Sequence, residues 1–261
     1  MFGLAITATS GFFLASNNHM KMQARKVETN QAARAAIDTI VRDLRLGGAC
    51  LPVTGTFVSM DGTDDGDEDE IIIRTGLVRP DLSCVRTAVR LDAAQGQTTV
   101  RVETVDGFEV GQLVYLRRPN NKGEYVKIAS ISTTNRNFKS NTPLVRSYPK
   151  GSGVYIVDER RFYLQDWTSP RGVLPELMVQ VDDEEPMSFA VGIEKLNFEY
   201  QLRRNCPACD VVDLPSGDDE WSIVEQVLVT VTARSELKVE NDDYYRRTIR
   251  VGVKPRNLLP R

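Results

Sequence analysis

The sequence predicts an α+β protein: a long N-terminal helix packed on, and protruding from, a mainly antiparallel β-sheet domain that carries a small inserted β-module. Three observations lead to this. From Ser16 to Leu46 there is neither proline nor glycine, and apolar side chains gather on one helical face. After Cys50 the pattern changes to short runs in which apolar and polar residues alternate. No second amphipathic helix of useful length follows, so the parallel sheet of repeated βαβ units is not expected.

In the helix, Ala33, Ile37, Ile40, Val41 and Leu44 recur at offsets of four, seven, eight and eleven, which is one face at 3.6 residues per turn. Arg34, Asp38, Arg42 and Arg45 share the other side, with Arg34–Asp38 and Asp38–Arg42 at the spacing that favours ion pairing. Gly47 and Gly48 supply the residue that adopts positive φ beyond a helix end. One continuous helix of roughly 45 residues would be ~68 Å long at ~1.5 Å per residue. Such a helix outreaches the domain it packs on and must project.

The upstream end, MFGLAITATSGFFLA, carries no charge. It is shorter than the ~20 apolar residues of a spanning helix. A secretory signal would place positive charge before the run, and here Asn17, Asn18, His19 and Lys21 follow it instead. The expectation is the second half of a membrane helix. An ordinary buried helix accounts for Ala33–Leu44, but not for an uncharged run at a terminus.

The strands are expected at EIIIRT (from Glu70), CVRTAVRL (Cys84), TTVRVE (Thr98), QLVYLR (Gln112), EYVKIASI (Glu124), GVYIV (Gly153), RRFYLQ (Arg160) and ELMVQV (Glu176). The clearest alternation is at Leu196, Phe198, Tyr200 and Leu202, and again at Val227, Val229, Val231 and Ala233; a last strand covers Tyr245, Thr248 and Ile249–Val253. Period two means one buried face. Domain bounds follow: residues 1–48 form the helix, with 1–15 its apolar part, and residues 49–261 form the β-rich domain. Residues 91–157, with DGFEVGQLVYL and YPKGSGVYIV, read as an inserted β-module.

Composition narrows the function. The net charge of −3 is spread along a chain with 41% hydrophobic and 26% charged residues, which fits a folded protein and gives no basic stripe for nucleic acid. The acidic run DGTDDGDEDE holds seven carboxylates in ten positions. Asp61, Thr63, Asp65 and Gly66 sit at the offsets of the start of a calcium loop, with Asp67 and Asp69 also available, yet its twelfth position is Ile72 where a bidentate glutamate belongs. A solvated turn entering the strand IIIRT is the preferred reading, with calcium as the alternative. Cys206 and Cys209 form a CxxC with no helix after it to activate a thiol, so a structural disulfide is preferred, with Cys50 and Cys84 as a second bridge. A zinc site would need a further close pair of ligands. His19 is the single histidine and has no nucleophile near it in sequence. No phosphate-cradling glycine loop is present, because GSG at Gly151 precedes a strand and lacks the lysine and helix. The residues support neither an enzyme nor a cofactor.

The apolar start, a helix ending in IVRDLRLGGA and a β-rich remainder together resemble type IV pilin-like proteins, most closely the PilW/PulJ group of minor pilins and minor pseudopilins. The carrying residues are Arg42, Asp43, Leu44, Arg45 and Gly47–Ala49, then DEDEIIIRT, then VEQVLVTVTARSE and RRTIRVGVKPRNL near the end. The likeness spans roughly the first third and last quarter of the chain. It implies a pilin-like fold and a minor pilin of a type IV pilus, within a priming or tip subcomplex that starts assembly. The partners implied are other minor pilins and the major pilin through the helix, a tip adhesin, and the inner membrane before assembly. The domain would be periplasmic first and at the pilus tip on the cell surface later. Leu4, Ile6, Phe12, Phe13 and Leu14 would form the helix-packing interface. The family's leader and Gly-Phe-Thr-Leu-x-Glu start do not appear, so roughly a dozen residues are expected before Met1 for a full span. The chain as written would not be processed by a prepilin peptidase. Two alternatives stand beside this reading: a minor pseudopilin of a type II secretion system, and a membrane-anchored periplasmic β-domain that binds a ligand or hydrolyses one.

Overall fold

The structure is a computed structural model that describes the backbone of residues 2–52, 57–169, 172–239 and 243–255, and the side chains of 16–52, 57–168, 172–239 and 243–255. It is α+β, with an N-terminal helix and a mostly antiparallel β-sheet domain. The helix α1 runs Phe2–Leu46 without a break. Its end forms where expected: Gly48 has φ 76° and donates its N–H to the Arg74 carbonyl at 2.9 Å.

The strands after α1 are β1 (Met60–Thr63), β2 (Glu70–Thr75), β3 (Arg86–Ala88), β4 (Thr99–Arg101), β5 (Leu113–Arg117), β6 (Gly123–Ser132) and β7 (Asn137–Ser140). Next come β8 (Gly153–Ser169), β9 (Gly172–Val181), β10 (Met187–Val191), β11 (Ile193–Leu202) and β12 (Val211–Val212). A five-residue helix α2 (Gly217–Trp221) precedes β13 (Val224–Arg234) and β14 (Arg246–Val253). Among the described residues they form a ten-stranded sheet and a four-stranded sheet ordered β12-β11-β13-β14.

Strand β8 is the spine of the larger sheet. Residues 153–157 pair with β5, and 153–155 also with β3; residues 158–162 pair with β2 and 160–169 with β9. The sequence suggested two strands, GVYIV and RRFYLQ, separated at Asp158–Glu159. The ladder carries straight through that acidic pair because β2 pairs with both residues, Thr75 with Asp158 and Arg74 with Glu159.

Two cores result. In the first, Ala33, Ile37, Ile40 and Leu44 of α1 pack on the alternating side chains of β11 and β13, with Ile71, Ile73 and Phe162 of the larger sheet joining them. The second holds side chains from Val85 to Ile156, among them Val100, Val114, Val126, Phe138 and Tyr148. Between them sits a small cluster of Leu51, Phe57, Tyr115 and Val157.

Two expectations need correction. The acidic run is more than a solvated turn: Met60–Thr63 pairs with Glu70–Thr75 as a hairpin, and Asp69 within it is buried. The helix acid that forms described ion pairs is Asp43, not Asp38. It meets Arg160 at 2.8 Å and Arg42 at 3.4 Å, because the helix turns Asp43 towards β8 and Asp38 towards solvent.

Candidate functional site

The surface that the sequence singles out is the helix, and the structure divides it in two. From Thr29 to Leu44 a stripe of side chains is buried, namely Thr29, Ala33, Ala36, Ile37, Ile40, Val41, Asp43 and Leu44. The spacing puts them on one side, facing β13 and β14 and touching β10 and β2. Burial of each large aliphatic in that stripe is worth ~1.5–3 kcal/mol, so this half of the helix is held by its own domain.

Polar contacts mark where the attachment begins. The Arg25 guanidinium donates to the Lys238 carbonyl at 3.2 Å. Asn30 Nδ2 reaches the Tyr245 hydroxyl at 3.5 Å, and the Lys26 ammonium stands 5.7 Å from the centre of the Tyr245 ring. At the other end Gly76 donates to the Ala49 carbonyl at 2.7 Å, and Cys50 is bonded to Cys84. The helix end is therefore tied by backbone, side chain and disulfide.

Upstream of Arg25 the picture reverses. No residue from Ser16 to Ala24 is buried, and Met20 is 62% exposed. Val27, facing away from the sheet, is 52% exposed. Leu4, Ile6, Phe12, Phe13 and Leu14, the expected interface residues, lie in the helical backbone but outside the described side chains. No helix among the described residues is long and apolar enough to cross a membrane.

The proposed calcium residues scatter among other partners. Asp61 accepts from the Gly62 N–H at 2.9 Å and lies 3.9 Å from Arg74. Asp67 pairs with Lys195 at 2.5 Å. Asp65 offers its backbone N–H to Asp69 Oδ1 at 3.1 Å. Asp69 Oδ2 takes the N–H of Phe198 at 2.7 Å. The structure brings Asp65 and Asp69 together and turns Asp61 and Asp67 to cations and backbone. Burial pushes the Asp69 carboxyl up to about 6, the backbone donors Phe198 and Asp65 pull it down, and Asp64 adds repulsion.

This second location is one that sequence reasoning missed. Asp67 and Asp69 exchange backbone hydrogen bonds with Leu196 at 2.8 and 2.9 Å, and the Asp69 side chain satisfies the next donor along β11 in place of a backbone carbonyl. The acidic run is thus the joint between the two sheets. Its sequence signal was weak: Asp69 is one of seven carboxylates in the run and stands two residues before Ile71.

Both expected disulfides are present, Cys50–Cys84 and Cys206–Cys209. The second closes the loop between β11 and β12, where Arg204 bridges Asp210 at 2.7 Å and Glu220 at 2.8 Å. Glu225 lies beside the two sulfurs, within 4.8 Å, and is itself paired with Lys254 at 2.7 Å. The sulfurs are spent on each other. No protein-family model matches this chain, and no curated protein matches it.

Proposed function

We propose that this chain is a minor pilin of a type IV pilus, part of a priming or tip subcomplex that initiates assembly and presents an adhesin. The single observation that carries the reading is the division of α1: one face of residues 29–44 belongs to the domain's own core, while none of residues 16–24 is buried in the described chain. A rigid helix continuing into an uncharged run has an unburied surface that neighbouring helices can cover. Close packing at Gly3, Ala5, Ala8 and Gly11 would favour association where lipid, not water, is displaced. The chain acts here as an assembly subunit without catalytic chemistry of its own.

The remaining parts fit this role. Residues 91–157 serve as an inserted module, and the self-contained core between Val85 and Ile156 supports that. Two disulfides suit a domain exposed to an oxidising compartment, with the helix in the inner membrane before assembly. A minor pseudopilin of a type II secretion system draws on the same division of the helix and differs only in its partners.

The test is a photo-reactive amino acid at Val27 in cells that assemble pili. Adducts with other minor pilins or the major pilin support the proposal, and adducts with secretion pseudopilins select the second reading. Normal piliation after deletion of the gene, with no inter-protein adduct at Val27, overturns both.

A further inference from the structure

Three side chains able to ligate a metal converge at the far end of the four-stranded sheet. Cys206, Cys209 and Glu225 each bring one donor atom to within 4.8 Å of the others. In sequence the CxxC has no third ligand close by. The strand register supplies one, because Leu202 at the end of β11 pairs with Val224 at the start of β13 and so sets Glu225 beside the loop. Cys206 is exposed, and Cys209 and Glu225 are partly buried.

The loop is closed by more than its sulfur bridge. The Leu202 N–H donates to the Asp210 carbonyl at 2.8 Å, and the Asp210 N–H donates to the Arg204 carbonyl at 3.1 Å. The Arg204 guanidinium ties the loop to Asp210 and to Glu220, and the Asn205 amide donates to the Asp210 carboxylate at 3.1 Å. Breaking the bridge therefore leaves two thiols held side by side. Glu225 is fixed from the neighbouring strand, where the Lys254 ammonium donates to its Oε1 at 2.7 Å. A partner of this kind orients a carboxylate that ligates a metal.

We propose that Cys206, Cys209 and Glu225 form a reduction-gated zinc site, with water in the fourth position. Two residues between cysteines is the spacing of zinc ligands, thiolate and carboxylate are both zinc donors, and three protein ligands leave a tetrahedral ion one open position. The gate is thiol–disulfide exchange. A thiolate of an external dithiol attacks the exposed Cys206 Sγ, the S–S bond breaks and Cys209 leaves as thiolate. The second thiol of the reductant then attacks the mixed disulfide and releases Cys206, so two electrons enter the chain and the reductant departs as a disulfide. Zinc binds the two sulfurs as thiolates and displaces their protons. Bridge and metal exclude each other, and the proposal does not depend on the pilin reading.

Cobalt(II), the spectroscopic substitute for zinc, tests it on the full chain reduced with a phosphine under argon. The expected result is thiolate-to-cobalt absorption that saturates at one equivalent, disappears when zinc is added and is absent from the oxidised chain. Glu225→Gln should weaken cobalt binding about tenfold or more. Cys206→Ser combined with Cys209→Ser should abolish the absorption, although the reduced Cys50 and Cys84 remain. Absorption that survives in this double variant overturns the proposal, as does none in the reduced wild type. Equal affinity in Glu225→Gln also overturns it, since the CxxC would then be chelating without the folded sheet.

Discussion

The Asp69 carboxylate accepts the Phe198 backbone N–H at 2.7 Å across the seam between the two sheets. A side chain of the β1–β2 hairpin thereby continues the hydrogen-bond ladder of β11, and the acid doing so is buried. Its folded-state pKa, raised from 3.8 to about 6 by that burial, makes the seam pH-sensitive. A raised pKa means the folded state binds the proton more tightly than the unfolded chain. The stability that the protonated acid contributes is therefore fully present below 3.8 and is lost as pH rises through about 6. In Asp69→Asn this contribution to the slope should vanish, so between pH 3.8 and about 6 the wild type should lose more stability than the variant. Urea unfolding at a series of pH values checks the slope. Asp69→Ala, which strands the Phe198 donor, should cost ~1–3 kcal/mol near neutral pH.

A second prediction concerns Asp43 and Arg160. The pair is asymmetric, with the Asp43 side chain 4% and the Arg160 side chain 44% exposed. Removing the arginine leaves a buried carboxylate with only the longer Arg42 contact, whereas removing the acid leaves a guanidinium that reaches water. Arg160→Ala should therefore destabilise more than Asp43→Ala. Intact buried pairs broken on one side lose ~3–5 kcal/mol, and the half-exposed arginine places this case below that range. Equal losses in a double-mutant cycle would contradict the asymmetry.

The two disulfides should differ in weight. Cys50–Cys84 closes a separation of 34 residues and Cys206–Cys209 one of 3. Loop-closure entropy then assigns ~4 kcal/mol to the first and ~2 kcal/mol to the second. Paired serine substitutions followed by denaturant unfolding measure the difference. The first pair should also loosen the helix end, seen as faster amide exchange at Gly48 and Gly76.

Much of this architecture was legible because it rests on local periodicity. The alternation at Leu196–Leu202 and Val227–Ala233 became β11 and β13, and the face Ala33–Leu44 became the packed half of α1. What escaped was decided by distant partners. Nothing near Asp69 in sequence announces Phe198, and nothing near Asp43 announces Arg160. CVRTAVRL reads as a strand of eight, yet only Arg86–Ala88 pair as one, because that edge of β8 passes to β2 at Asp158. β1, β7 and β10 are too short or irregular for a period to show, and β10 has a register shift between Ser188 and Ala190.

The division of the helix gives the last prediction, which separates self-packing from packing against others. Ile40 is fully buried in the domain core, so Ile40→Ala should cost ~2–5 kcal/mol through lost contacts and a residual cavity. Met20 and Val27 are exposed, at 62% and 52%, and substitutions at such positions change stability by no more than ~0.5 kcal/mol. If the outer surface of the helix is completed by sister subunits, Met20→Asp and Val27→Asp should leave the melting curve of the isolated protein in place and still reduce incorporation into filaments, because each buries a charge at a contact that forms only on assembly. Filament incorporation measured by immunoprecipitation of sheared pili, beside thermal unfolding of the same variants, reads both effects. Wild-type incorporation of both aspartate variants would show that this stretch of helix faces solvent in the assembled state and would remove the main support for an assembly role.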